Sequence, residues 1–150
     1  MPTAQPSVHI LLVEDSEDDA FFFSRTLKIA GVPAKTVHIA DGGGAIAHMH
    51  RVLKGETPSP DIVFLDLKLP TRTGFEILEW LRAHVPCPPF NVFVLSGSEQ
   101  EGDIARALVL GASGYCVKPI QVDALKARLA QIRSARTDGA SSPRSPVKVA

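Results

Sequence analysis

Cysteine is scarce: Cys87 and Cys116 are the only two in 150 residues. That is too few for a disulfide-stapled scaffold, and reduced thiols in a cytoplasmic protein are the default expectation. Neither sign of charge is in excess, with 16 Lys and Arg against 16 Asp and Glu. The basic footprint that marks nucleic-acid binders is therefore missing, and no nucleic-acid partner is expected. No apolar run approaches the roughly 18 residues that a membrane span needs. Nor does the stretch from Met1 to Ser7 carry a charged segment followed by an apolar one, so no secretory signal is expected. What is there is ordinary globular usage, 45% hydrophobic and 21% charged, in a length that suits one compact domain.

Four runs rich in apolar and β-branched residues stand out: Val8–Val13, Ile62–Leu67, Asn91–Leu95 and Tyr115–Val117. Three of them are continuously apolar, not alternating, as in strands buried on both faces of a parallel sheet. A weaker run, Thr36–Ala40, fits a less buried strand. Helical patterns lie between. Ala20, Phe23, Leu27 and Ala30 follow steps of three and four, with Ser16 and Asp19 as a capping box and Gly31 as the stop. Phe21, Phe22 and Phe23 are expected mostly in the core, although three successive positions on a helix cannot all face inward. Ala45, Met49, Val52 and Leu53 form a second stripe, and Ile77, Leu78 and Leu81 a third. Glu99–Leu110 ends at Gly111, and Val122, Leu125, Leu129 and Ile132 mark the last helix. Strand and helix thus alternate five times, which predicts an α/β fold: a doubly wound, five-stranded parallel sheet with right-handed crossovers. Residues 1–7 are expected to be flexible and 8–133 to form the domain. From 134 to 150 the Ser, Pro, Gly and Arg content predicts a disordered tail.

In an open α/β sheet, ligands bind beyond the carboxyl ends of the strands. Glu14 and Asp15 follow the first run, Asp66 ends the apolar part of the third, Ser96 follows the fourth and Lys118 the fifth. Charged and hydroxyl residues therefore gather at one sheet edge. Three carboxylates brought together repel, and a divalent cation relieves that conflict. Oxygen-only ligands favour a hard ion such as Mg²⁺, which keeps waters and accepts phosphate oxygens. Lys118 can neutralise phosphoryl oxygens and Ser96 can donate to one, the parts that an in-line phosphoryl transfer needs. Each residue also has a plainer reading: Asp66 as a turn cap, Ser96 as a helix N-cap, Tyr115 as a packing residue.

Taken in order, Leu11–Asp15 (LLVED), Asp61–Pro70 (DIVFLDLKLP) with Gly74, Val94–Gly97 (VLSG) and Gly111–Pro119 (GASGYCVKP) resemble the receiver domain of two-component response regulators, over roughly residues 8–133. The chain looks most like the single-domain regulators paired with bacterial phytochrome histidine kinases. The resemblance implies the flavodoxin-like (βα)5 receiver fold and a phosphoryl group accepted on Asp66 from a sensor histidine kinase or a phosphotransfer protein. It implies Mg²⁺ held by Glu14, Asp15, Asp66 and the backbone carbonyl of Lys68. It also implies Ser96 as switch hydroxyl, Lys118 as phosphoryl-binding cation, Tyr115 as rotating aromatic, and a cis peptide bond between Lys118 and Pro119. Glu14 departs from the commoner Asp. Lys68 stands where relatives often have Asn, and an altered autodephosphorylation rate is expected from it.

Such a chain is a signalling protein, not an enzyme acting on outside substrates, beyond assisting its own phosphorylation and dephosphorylation. The segment after the last helix is too short for an output domain, so output is expected through protein contacts. The face of the fourth helix, fifth strand and fifth helix is a candidate homodimer surface. Two rival readings remain: a receiver-shaped interaction module that works without phosphorylation, and a haloacid-dehalogenase-type phosphatase with Asp66 as nucleophile. The phosphatase would want an acid at position 68, which Lys68 does not supply. A flavodoxin-like FMN site fits poorly with the acidic loop Glu14–Asp19.

Overall fold

The computed structural model describes residues 7–85, 88–97 and 101–138, with side chains omitted at Ser96 and from 133 onward. Five strands alternate with five helices: β1 Val8–Val13, α1 Glu17–Ala30, β2 Ala34–Ile39, α2 Gly42–Leu53, β3 Ile62–Leu65, α3 Gly74–His84, β4 Asn91–Ser96, α4 Glu101–Val109, β5 Gly114–Val117 and α5 Val122–Asp138. All strand pairs are parallel, in the order β2-β1-β3-β4-β5. The chain reverses its direction of winding between β1 and β3, and the crevice for a ligand opens at their carboxyl ends.

The strands alternate between two cores because successive side chains leave a strand on opposite faces. Leu11, Val13, Val63 and Leu65 pack under α2, α3 and α4, whereas Val8, Ile10, Leu12, Ile62 and Phe64 pack under α1 and α5. β2 is an edge strand and is mostly exposed, which accounts for its weak sequence signal. It spans Ala34–Ile39, beginning earlier than the expected Thr36.

The phenylalanine triplet on α1 departs from expectation. Only Phe23 enters the core, against Phe64 at 5.0 Å between ring centroids; Phe21 and Phe22 are 59% and 52% exposed. The sheet-facing stripe of α1 here holds Ala20 and Phe23, one turn apart, and leaves Phe21 and Phe22 on the outer side. α5 runs on to Asp138, into the segment expected to be a tail, through the helix-forming Ala135 and Arg136. Residues 1–6 and 139–150, where the flexible N-terminus and most of the tail were expected, lie outside the described residues, as does Cys87. Among the described residues, no helix is long and apolar enough to cross a membrane.

Candidate functional site

Strand register brings the acids together. Val13 pairs with Leu65, and the Asp66 amide donates to the Val13 carbonyl at 3.0 Å, so Glu14 and Asp66 leave adjacent strands side by side. Leu65 pairs with Val94, and Ser96 with Val117, which sets Lys118 at the same edge. Ligand oxygens of Glu14, Asp15 and Asp66 all lie within 4.8 Å of one another. Glu14 and Asp66 are buried, at 1% and 5% exposure, while Asp15 faces solvent. An oxygen-only trio of this span suits a hard divalent cation.

Lys118 answers the negative charge. Its ammonium contacts Asp19 Oδ2 at 2.7 Å, Glu14 Oε1 at 3.0 Å and Asp66 Oδ2 at 3.3 Å. The second oxygens of Glu14 and Asp66 are also engaged: the Ser16 amide donates to Glu14 Oε2 at 3.1 Å and the Lys68 amide to Asp66 Oδ1 at 3.1 Å. Burial pushes the Glu14 carboxyl up to about 7, against the opposing hydrogen bonds from Lys118 and Ser16; the nearby Asp66 charge pushes the same way as burial. Burial alone would lower the Lys118 ammonium. Hydrogen bonds to Asp19 and then Glu14, with the charges of Asp66 and Glu14, outweigh that and hold it above its ordinary value.

The sheet edge is braced from two sides. Gly74 opens α3 against the Asp66 and Leu67 backbone, where any Cβ would fall 2.7 Å from Leu67 Cα. Thr73 and Glu76 close a full capping box on α3, with the Thr73 hydroxyl accepting from the Glu76 amide at 3.1 Å and the Thr73 amide donating to Glu76 Oε1 at 2.8 Å. On the other side His38 of β2 sits 2.7 Å from the Glu14 carbonyl, so its Nε2–H donates there and holds the backbone of the first acid.

The other expected site residues fall as follows. Lys68 keeps its side chain in solvent. The Lys118–Pro119 peptide bond is cis. Tyr115 is half-buried against the α2–α4 core, and its hydroxyl is buried with no hydrogen-bond partner among the described residues. The Ser96 hydroxyl lies outside the described side chains. The capping box expected at α1 forms only by half. Ser16 Oγ accepts from the Asp19 amide at 3.1 Å, but the Asp19 carboxylate turns to Lys118 instead of back to Ser16. Asp19 and His38 were not among the expected site residues. The available signal for Asp19 was the acidic Glu14–Asp19 loop, which holds more carboxylates than one cation needs.

Comparisons with known proteins point the same way as this geometry. The family model "Response regulator receiver domain" matches residues 10–130. Response regulator Rcp1 of Synechocystis is 30% identical over 116 residues, covering 77% of this chain and 79% of that protein. The solved Mn²⁺-bound form of Rcp1 superposes with a TM-score of 0.67 at 27% identity, covering 91% of this chain and 99% of the other. The phosphorylated cyanobacterial phytochrome response regulator RcpA gives a TM-score of 0.71 at 28% identity, covering 93% and 100%. With a family match over most of its length and a sheet edge built as described, the chain belongs to the response regulator receiver domains of two-component systems.

Proposed function

We propose that the chain is a phosphorylation-dependent switch in which Asp66 accepts a phosphoryl group from the phosphohistidine of a sensor kinase. The observation that carries this reading is a buried Asp66 carboxylate 3.3 Å from the Lys118 ammonium and within 4.8 Å of Glu14 and Asp15 oxygens. A carboxylate oxygen of Asp66 attacks phosphorus as the P–N bond to the histidine breaks. The imidazole leaves with the electron pair and takes up a proton, and Asp66 becomes an acyl phosphate. Lys118 contributes a fixed positive charge for the phosphoryl oxygens, already in place before transfer. The Lys68 amide holds Asp66 Oδ1 and so orients the nucleophile. Glu14, Asp15, Asp66 and the Lys68 carbonyl are the groups to hold a divalent cation, Mg²⁺ by preference. Such a cation would neutralise charge on the transferring group when bound. Water later attacks phosphorus, the P–O bond to Asp66 breaks, and inorganic phosphate leaves. Exposed Lys68 beside Asp66 is the residue expected to alter the rate of that step.

The switch is read through Ser96 and Tyr115, with the buried Tyr115 hydroxyl, which has no hydrogen-bond partner among the described residues, as the polar atom awaiting a new partner. Similarity to the phytochrome response regulator RcpA favours a bacterial phytochrome as the kinase, and the reading places the switch in the cytoplasm, where such a kinase would present its phosphohistidine. A phosphotransfer protein could serve the same role as donor. The working surface is α4, β5 and α5.

Incubation with Mg²⁺ and acetyl phosphate tests the reading by intact mass. Wild type is expected to gain one phosphoryl group and Asp66→Asn none. A wild type that stays unmodified under saturating donor would favour the interaction module that works without phosphorylation. Turnover of outside phosphate esters, by contrast, would favour the phosphatase.

A further inference from the structure

Four carboxylates gather at this sheet edge, three of them in contact with Lys118, and one of those three stands apart from the cation cluster. Glu14, Asp15 and Asp66 bring their oxygens within 4.8 Å of one another; Asp19 is outside that group. Yet Asp19 makes the shortest of the three contacts to Lys118, at 2.7 Å. Its side chain is directed there at the expense of the cap on α1, where the reciprocal bond to the Ser16 amide is missing and Glu14 Oε2 takes that amide instead. The first turn of α1 carries Asp19 to the flank of the site, where a small cleft of Phe22, Phe23, Leu95, Pro119 and Ile120 borders the Asp19–Lys118 pair. The pair is only partly shielded, with Lys118 more enclosed than Asp19, which stays open to solvent on its outer side.

The consequence follows from charge. Without a cation, Lys118 neutralises Glu14 and Asp66. A divalent cation at the cluster needs oxygens from those same two residues, and a largely enclosed ammonium left without a partner is costly. Asp19 is the carboxylate that the cation does not require. We propose that Asp19 is a positioning residue for Lys118, keeping the ammonium paired on α1 while Glu14 and Asp66 turn to the cation. Without Asp19 the lysine leans harder on Glu14 and Asp66 and competes with the cation for them. The inference rests on the cation and phosphoryl reading above.

Calorimetric titration with Mn²⁺ tests it without any phosphoryl transfer. Asp19→Asn is expected to weaken Mn²⁺ binding about five-fold, the scale of coupling within one charge network. Asp18→Asn removes the same charge one residue away, at an exposed position with no contact to Lys118, and is expected to change affinity by less than about two-fold. In a Lys118→Ala background the Asp19→Asn effect should shrink to that of Asp18→Asn, because the lysine through which Asp19 acts is gone. An Asp19→Asn protein no weaker than Asp18→Asn would overturn the proposal. So would a full effect that persists without Lys118, since Asp19 would then act as bulk charge or as a ligand. Failure of the wild type to take up Mn²⁺ at all would instead overturn the cation reading, and this inference with it.

Discussion

At the scale of single residues, Glu14 carries the clearest pH signature. It is fully buried, and burial raises its carboxyl from 4.5 to about 7 despite the Lys118 ammonium at 3.0 Å. A carboxyl whose folded-state value lies above its unfolded one binds its proton more tightly in the fold. Its contribution to stability is fully present below about 4.5 and is lost as pH rises through about 7. The linkage amounts to about 3 kcal/mol at most. Urea unfolding of metal-free protein at pH 5 and pH 8 should therefore show a drop in stability that Glu14→Gln removes in large part. The same proton competes with a cation, so Mn²⁺ affinity should climb over the same pH interval in wild type and stay flatter in Glu14→Gln. Equal pH dependence in the two proteins would mean that Glu14 is charged throughout and that burial does not govern it.

At the scale of elements, the β3–α3 junction is where local geometry and the site meet. Gly74 begins α3 under the Asp66 carbonyl, and a Cβ there would meet backbone, not a flexible side-chain end. Gly74→Ala must push the Asp66–Leu67 backbone away, at about 2–4 kcal/mol in global stability. It should also lower the rate of phosphorylation by acetyl phosphate in protein that remains folded, because it displaces the carbonyl next to the acceptor. By contrast Ser16→Ala removes one N-cap bond from α1 and should cost about 1 kcal/mol in chemical denaturation. Much of this layer was legible in the sequence. The β1 boundaries, the continuous apolar β3 and the glycine stop of α1 follow directly from pattern and from the left-handed Gly31 at φ 72°. What was hidden depends on partners far away in the chain. Asp19 reads locally as a cap partner because its true partner, Lys118, lies 99 residues on. That two of the three phenylalanines, Phe21 and Phe22, face outward was less legible, because hydrophobicity is visible in a sequence and the facing of a particular helix turn is less so. β2 gave a blurred start because an edge strand needs little apolar surface.

At the scale of the whole molecule, stability and output separate onto different surfaces. The core on the α1–α5 side centres on Phe64, which contacts the Phe23 and Phe93 rings at 5.0 and 6.1 Å between centroids. Phe64→Ala should cost about 3–5 kcal/mol without touching a charged group of the site. The opposite requirement applies at β5, the other edge of the sheet, where Val117 is 40% exposed, with Leu108 and Val109 of α4 at 44% and 71%. These side chains leave much apolar surface in solvent, and they lie on the face proposed for self-association. Arg82 of α3 donates to the Val109 carbonyl at 3.0 Å, so the end of α4 is tied to the rest of the fold and not left loose. A stable pair needs about 800 Å² from each partner, more than three side chains supply. Their role would therefore be to anchor the centre of an interface completed by polar neighbours. Leu108→Glu/Val109→Glu places two like charges there. Sedimentation of the phosphorylated wild type should show a dimer, and the double variant should remain monomeric while taking up phosphoryl at the wild-type rate. Phosphorylated wild type that sediments as a monomer at tens of micromolar would show that this face serves another protein instead.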